Sequence, residues 1–306
     1  MTRRLNWFLL IVLLVVGLPY YWLLIDNRPG SAAAKPVSIA RLRELAASIP
    51  GQKPVAVEME LVAYRRLPGT LFVAGTGIKR RLIGVMAFRL PVPGKGPIVI
   101  DSGLDADAAR RMEMEEFDPR SWARITAALN SASQIVITHE HPDHLGGLIS
   151  LGKPELFQRT LFNARQLPGN SLSDGLRWPR VPLPAPAIAG AQPVAIAPGV
   201  VVIPAPSHTP GSQMIFVQLA DGREYLFTGD IATLMSSWSE LRARSRLVGD
   251  YLAPEARGEV FAWLKTIAAL KAQAPAMIVV PGHDFERLVD IKRPTGIHFT
   301  FTDRAD

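Results

Sequence analysis

Residues 134–144 read QIVITHEHPDH, and everything else in the chain is interpreted outward from them. Gln134 to Thr138 is an apolar run of strand length that leads straight into His139, His141, Asp143 and His144. The 306 residues contain only six histidines, and three of them lie in this one motif. If the strand ends at Thr138, a loop follows in which alternate positions 139, 141 and 143 present their side chains together while 144 turns to an adjacent site. Imidazole nitrogens combined with a carboxylate suit zinc or another borderline divalent ion.

The remaining candidates occupy the same kind of position. His208 follows the run Val200 to Ile203 and stands in SHTPG, Asp230 follows Glu224 to Thr228, and His283 follows Met277 to Val280 in PGHD. Ligands in layered folds gather where strands end and loops meet. The surrounding Gly and Pro let backbone come close to an ion. Asp101 likewise ends the run Pro97 to Ile100.

Around these positions the spacing predicts a helix over Ser38 to Ile49 capped by Ser38, and strands with period two from Val55 and over Leu82 to Leu90. It further predicts a helix over Ser121 to Asn130, a hairpin of Met214 to Leu219 with Glu224 to Thr228 turning through Asp221-Gly222, and a helix over Pro254 to Ala272. Strands come first and then alternate with helices, which predicts an α/β or α+β layered fold. Leu167 to Pro206 is Pro-rich and aperiodic and reads in part as an irregular loop beside the site. Ile297 to Thr302 reads as extended, with His298 structural or on the surface.

The chain has no Cys, so disulfides, iron–sulfur clusters, cysteine zinc fingers and a cysteine nucleophile are all excluded. The 48% apolar content is unevenly spread. Leu5 to Ile25 holds 18 apolar residues in 21 with no charge, and as a helix it would span about 31 Å, close to the thickness of a bilayer core. Arg3 and Arg4 precede it, so the expectation is a cytoplasmic N-terminus and an exported remainder, facing the periplasm if the cell is bacterial. The alternative is a signal peptide cleaved at Ala32-Ala33-Ala34, giving a secreted or periplasmic protein. The expected division is thus an anchor or signal segment over 1–26, a linker and short helix over 27–50, and a catalytic domain over 51–306. Positions 26–306 carry 32 basic against 27 acidic residues with no basic-aromatic stripe, so no nucleic-acid partner is expected.

The motif HEHPDH followed in order by His208, Asp230 and His283 resembles the metallo-β-lactamase-fold hydrolase superfamily, over roughly residues 55 to 290. The resemblance implies an αβ/βα sandwich of two mixed β-sheets with outer helices and the site at one edge. It implies that His139, His141 and His208 hold a first metal ion, that Asp143, His144 and His283 hold a second, and that Asp230 bridges them. Asp101 would support a ligand His. Glu140 falls at a variable place and reads as solvated or loop-shaping.

Two divalent ions outweigh the two carboxylates and one bridging hydroxide, leaving a positive site that favours an oxyanion and direct attack by water. Zinc is the default ion, with iron or manganese possible. Asp143 or Asp230 could pass a proton to the leaving group. Ser102, Ser207 and Ser212 have no free His as partner and so read as bystanders. The run from Ser207 to Asp230 looks like the lactonase and glyoxalase II branch, so a small-molecule lactone or carboxylic ester is the expected substrate. An Asp rather than a Cys at position 230 disfavours a β-lactamase, and only 23 residues follow His283, too few for the glutathione-binding region of glyoxalase II. Thr233 stands where acyl-homoserine lactonases carry Tyr. A phosphodiesterase or nuclease on the same two ions is the alternative, and a noncatalytic or redox scaffold is the reading of another class. Arg242, Arg244 and Arg246 are expected either to attract an anionic substrate or to solvate a helix face.

Overall fold

The alternating runs pair into two mixed sheets in a computed structural model that describes residues 2–28, 30–169 and 171–301. The end of the expected C-terminal stretch, Thr302, with the rest of 303–306, and Pro29 and Asn170 in the two expected loop segments, lie outside the described residues. The first sheet holds β1 (Glu58–Pro68), β2 (Arg80–Leu90), β3 (Ile98–Ile100), β4 (Glu116–Phe117), β5 (Gln134–Val136) and, far along the chain, β11 (His298–Phe299). Its order is β11-β1-β2-β3-β5, with β4 paired to β1; β1/β11 and β3/β5 run parallel and the other pairs antiparallel. The second sheet is β10-β9-β8-β7-β6, made of β6 (Val194–Ala197), β7 (Val200–Pro204), β8 (Gln213–Gln218), β9 (Glu224–Gly229) and β10 (Ile278–Pro281), with only β9/β10 parallel.

Side-chain alternation along these strands generates the layers. Met86, Phe88, Ile98, Ile100 and Val136 face inward from the first sheet and meet Val202, Ile215, Val217, Phe227 and Val280 from the second. Phe88 and Phe227 join the sheets edge to face, with centroids 4.9 Å apart. The outward set of the first sheet, Val85, Val99 and Ile135 among them, packs under α3 (Pro119–Ser131) and α4 (Pro142–Leu151) through Ile125, Leu129, Leu145 and Leu148. The outward set of the second, including Val201, Ile203 and Phe216, packs under α2 (Ile39–Ser48) and α5 (Arg257–Gln273) through Leu42, Phe261, Leu264 and Ile267. The result is the αβ/βα sandwich.

Three sequence expectations change. Residues after Thr138 do not remain a loop: His141 is the N-cap of α4, Pro142 fills the first turn, and Asp143 and His144 ride on the helix. Asp143 therefore groups with His144 and His283 rather than with His139 and His141. Residues 242–245 form no helix and Arg246 only opens the next helical turn, so the three arginines do not share a solvated helix face. Arg242 bonds Glu240 and the Ala74 carbonyl, and Arg246 bonds Asp26 and Asp250. Glu140, expected to be solvated or loop-shaping, is buried and shapes a loop.

The apolar N-terminal segment forms α1 (Arg3–Ile25), long and apolar enough to cross a membrane and not buried by the rest of the chain. Its last turn is tied to the sandwich. The Leu24 carbonyl accepts from Thr70 Oγ1 at 2.7 Å and Gly75 N at 2.9 Å. Asp26, only 1% exposed, takes Arg28 and Arg246 on its carboxylate and Arg257 on its carbonyl. The Arg246 guanidinium lies 4.0 Å from the centre of the Trp22 ring.

Candidate metal centre

Each site residue follows the carboxyl end of a strand at one edge of the sandwich. β3 ends into Asp101, a non-glycine residue held at φ 61°. Such a conformation persists only where partners fix it. Here Asp101 Oδ1 accepts the Thr138 backbone N–H at 2.6 Å, while Oδ2 accepts Thr138 Oγ1 at 2.8 Å and His144 Nδ1 at 2.8 Å. One carboxylate thus aligns the end of β5 and directs His144 Nε2 into the site.

The described residues place seven side chains in two groups, each with ligand atoms within 4.8 Å of one another. His139, His141, His208 and Asp230 form one, and Asp143, His144 and His283 form the other. Asp230 stands between them: Oδ1 is 3.0 Å from His283 Nε2 and 3.6 Å from His144 Nε2, and Oδ2 is 3.8 Å from His208 Nε2. His298 lies on β11 away from the cluster. Gly282 is required beside Asp230, because a Cβ there would overlap the Asp230 carboxylate.

The nitrogen atoms meet in a way that hydrogen bonding alone does not satisfy. His141 Nδ1 is 3.0 Å from His139 Nε2 and 3.1 Å from His208 Nε2. The outer nitrogens are engaged elsewhere: His208 Nδ1 faces Glu255 Oε2 at 3.1 Å, His139 Nδ1 faces Thr138 Oγ1 at 3.1 Å, and His283 Nδ1 donates to the Gly84 carbonyl at 2.7 Å. A neutral imidazole has one N–H, so rings that donate outward point lone pairs inward. Three nitrogens about 2.05 Å from a tetrahedral zinc would be about 3.3 Å apart, near the spacing seen. His144 Nε2 and Asp230 Oδ1 are, among the described residues, buried atoms without a hydrogen-bond partner. The donor set fits divalent ions.

Charge divides the cluster. Burial, reinforced by neighbouring imidazoles and, at His208, first by Arg244, holds His139 and His208 well below the usual histidine range, and burial lowers His141 to about 4, so these rings are neutral lone-pair donors. Burial opposes protonation of His144 too, but the carboxylates of Asp101, Asp143 and Asp230 overcome it and push it up to about 10. Burial raises Asp230, yet His283, Arg244 and His144 outweigh it and hold the carboxyl far below its ordinary range.

Glu255 escaped the sequence reading of the site, and Arg244 was read there only as one of three arginines that attract substrate or solvate a helix face. Arg244 is 7% exposed; its Nη2 donates to Asp230 Oδ2 at 2.6 Å and its Nε to Thr233 Oγ1 at 3.2 Å. Nothing in the sequence separates it from Arg242 and Arg246. Glu255, pushed up to about 7 by burial, orients His208; it reads in sequence as one more charge at a helix start. Glu140 links Thr209 Oγ1 and Gly211 N, joining the loop after β5 to the loop bearing His208. The three serines serve backbone: Ser102 Oγ donates to the His144 carbonyl, Ser207 Oγ to Ala205 O, and Ser212 Oγ accepts from Thr209 N.

Residues 88–283, well over half of the chain, match the sequence model of the family described as the Metallo-beta-lactamase superfamily. The chain belongs to this superfamily. Its fold is shared with a solved quorum-quenching N-acyl homoserine lactone hydrolase, at 16% identity and TM-score 0.60 over 80% of this chain and 98% of the other. A quorum-quenching N-acyl homoserine lactone lactonase gives 17% identity and TM-score 0.58 over 81% and 99%. A probable metal-dependent hydrolase from Staphylococcus aureus gives 14% identity and TM-score 0.55 over 77% and 91%. No curated protein is matched by the sequence. This superfamily member is a metallo-hydrolase carrying a His/Asp metal-binding cluster.

Proposed function

We propose that the protein is a membrane-anchored hydrolase that cleaves an ester-like bond, a lactone or carboxylic ester, at a two-ion centre. The observation that carries this is the pair of converging ligand groups with Asp230 between them. His139, His141 and His208 would hold one ion, Asp143, His144 and His283 the other, and Asp230 both. Bound there, divalent ions, zinc by default, supply Lewis acidity and hydroxide at neutral pH. Asp101, Glu255 and the Gly84 carbonyl fix the ring orientations of His144, His208 and His283. Arg244 holds Asp230 in place and keeps it ionised. Asp143, on the first turn of α4, would return a proton to a leaving alkoxide, with Asp230 as the second candidate. Lactone-cleaving proteins with the same fold, and Asp rather than Cys at position 230, support this substrate class.

Residues 1–26 are the proposed anchor, 27–50 the connection and 51–306 the catalytic domain, exported from the cytoplasm. Retention of α1 is supported by its ties: cleavage at Ala32-Ala33-Ala34 would remove Asp26 and leave Arg246 without that carboxylate. The test is metal content measured together with hydrolysis of lactones, esters, β-lactams and bis(p-nitrophenyl) phosphate. Two ions per chain with lactone or ester turnover is expected. A fully metallated protein inactive on every substrate, or active on the phosphodiester alone, overturns the reading.

A further inference from the structure

The segment from Arg244 to Glu255 has both ends at the metal centre and its middle outside the protein. At one end Arg244 grips Asp230, and at the other Glu255 meets His208. Between them the wide helical turn Leu247–Leu252 exposes Tyr251 and Leu252, at 64% and 69%. Arg246, at the start of this turn, stacks on Trp22 of α1. The loop 73–79 meets the same end of α1 through the bond from Gly75 to Leu24, and it exposes Ile78 at 72%. Single exposed apolar residues are ordinary, but these three adjoin the exit of an apolar helix.

That exit has a depth marker. Tyr20, Tyr21 and Trp22 occupy the last turns of α1, and such aromatics settle at the boundary between hydrocarbon and headgroups. Because Arg246 sits on Trp22, the turn that carries Tyr251 and Leu252 begins at the level of that ring. Lys79 follows Ile78 directly and suits anionic headgroups, while Arg80 and Arg81 are engaged by Glu115 and Glu286.

We infer that Ile78, Tyr251 and Leu252 dock the catalytic domain on the lipid surface beside α1, so that the Arg244–Glu255 segment is a membrane-facing wall of the site. Building on the hydrolase reading, the substrate is an amphiphile: its acyl chain lies in the lipid and its ester-like head enters at headgroup depth.

The chain has no Cys, so single labels are unique. Nitroxides are attached to Ile78→Cys, Leu252→Cys and, in the remote β8–β9 turn, Asp221→Cys, in the full metallated chain in phosphatidylcholine and phosphatidylglycerol vesicles. Oxygen should relax the labels at 78 and 252 more than a water-soluble nickel chelate does, and the order should reverse at 221. Water-like labels at both 78 and 252 overturn the docking. For the substrate class, Ile78→Ser combined with Leu252→Ser should lower the ratio of vesicle-borne long-chain to soluble short-chain lactone hydrolysis by at least about tenfold. An unchanged ratio overturns the amphiphile. A metallated chain that hydrolyses neither lactones nor carboxylic esters overturns the hydrolase reading and the substrate class with it, while the nitroxide result decides the docking by itself.

Discussion

Asp101 shows how much one carboxylate can organise, since it receives the Thr138 N–H, the Thr138 hydroxyl and His144 Nδ1 together. Asp101→Asn keeps the shape but loses the charge that favours His144 Nδ1–H. Metal affinity should fall about 10- to 100-fold in a chelator competition, with the fold retained by circular dichroism. The same carboxylates imply a pH dependence. With His144 pushed up to about 10, an ion taking its Nε2 at pH 7 displaces a proton. Affinity should therefore rise with pH above 7, and calorimetry in buffers of different ionisation enthalpy should detect proton release; uptake or no change would contradict this. All seven proposed ligands were legible in the sequence, because histidine is rare here, the candidates cluster beyond the ends of apolar runs, and the motif resembles a known ligand set. Arg244 and Glu255 were not, because charge in a basic, mixed-charge segment carries no signal of burial until the chain folds back on Asp230 and His208.

α4 was the least legible element. Pro142, Gly146 and Gly147 lower its intrinsic helicity, and an N-terminal turn crowded with His and Asp resembles a loop. The glycines answer to packing: a Cβ at Gly147 would overlap the Ser102 carbonyl and lie 2.9 Å from Trp122. Gly147→Ala should destabilise by about 1–3 kcal/mol, read as a lower thermal midpoint, and should loosen His144, whose carbonyl Ser102 holds. The end of α1 gives a second expectation. Burial raises the Asp26 carboxyl, but its bonds to Arg28 and Arg246 lower it below the ordinary 3.8. A depressed carboxyl contributes stability above its unfolded value, and that contribution is lost as pH falls through the folded value. Hydrogen exchange, corrected for its intrinsic pH dependence, should show 23–28 protected at pH 6 and released below about pH 4 while core strands remain protected. Asp26→Asn should expose 23–28 at both values.

The layered class followed from the rhythm of strands and helices, and β3 and β7 repeat the inward-outward alternation that builds two sheets. The order β10-β9-β8-β7-β6, and the return of β11 to pair with β1, could not be read locally. Those pairings are made between residues up to 240 positions apart, such as Glu58 with His298. The family motif supplied that information in place of periodicity. The strand ends also divide the proposed ligands between the sheets: His139 and His141 follow β5, whereas His208, Asp230 and His283 follow β7, β9 and β10.

Each ion would therefore fasten one sheet to the other along a single rim, whereas elsewhere the sheets meet mainly through the apolar inner layer. Chelation should lower the thermal midpoint and let a protease nick residues 205–211 before any other part of the sandwich, with zinc restoring resistance. Where metal ions run short, the rim would then act as a fuse. A chain starved of ions would open at its catalytic edge and be cleared, so that metal supply governs how long the molecule survives as well as how fast it turns over.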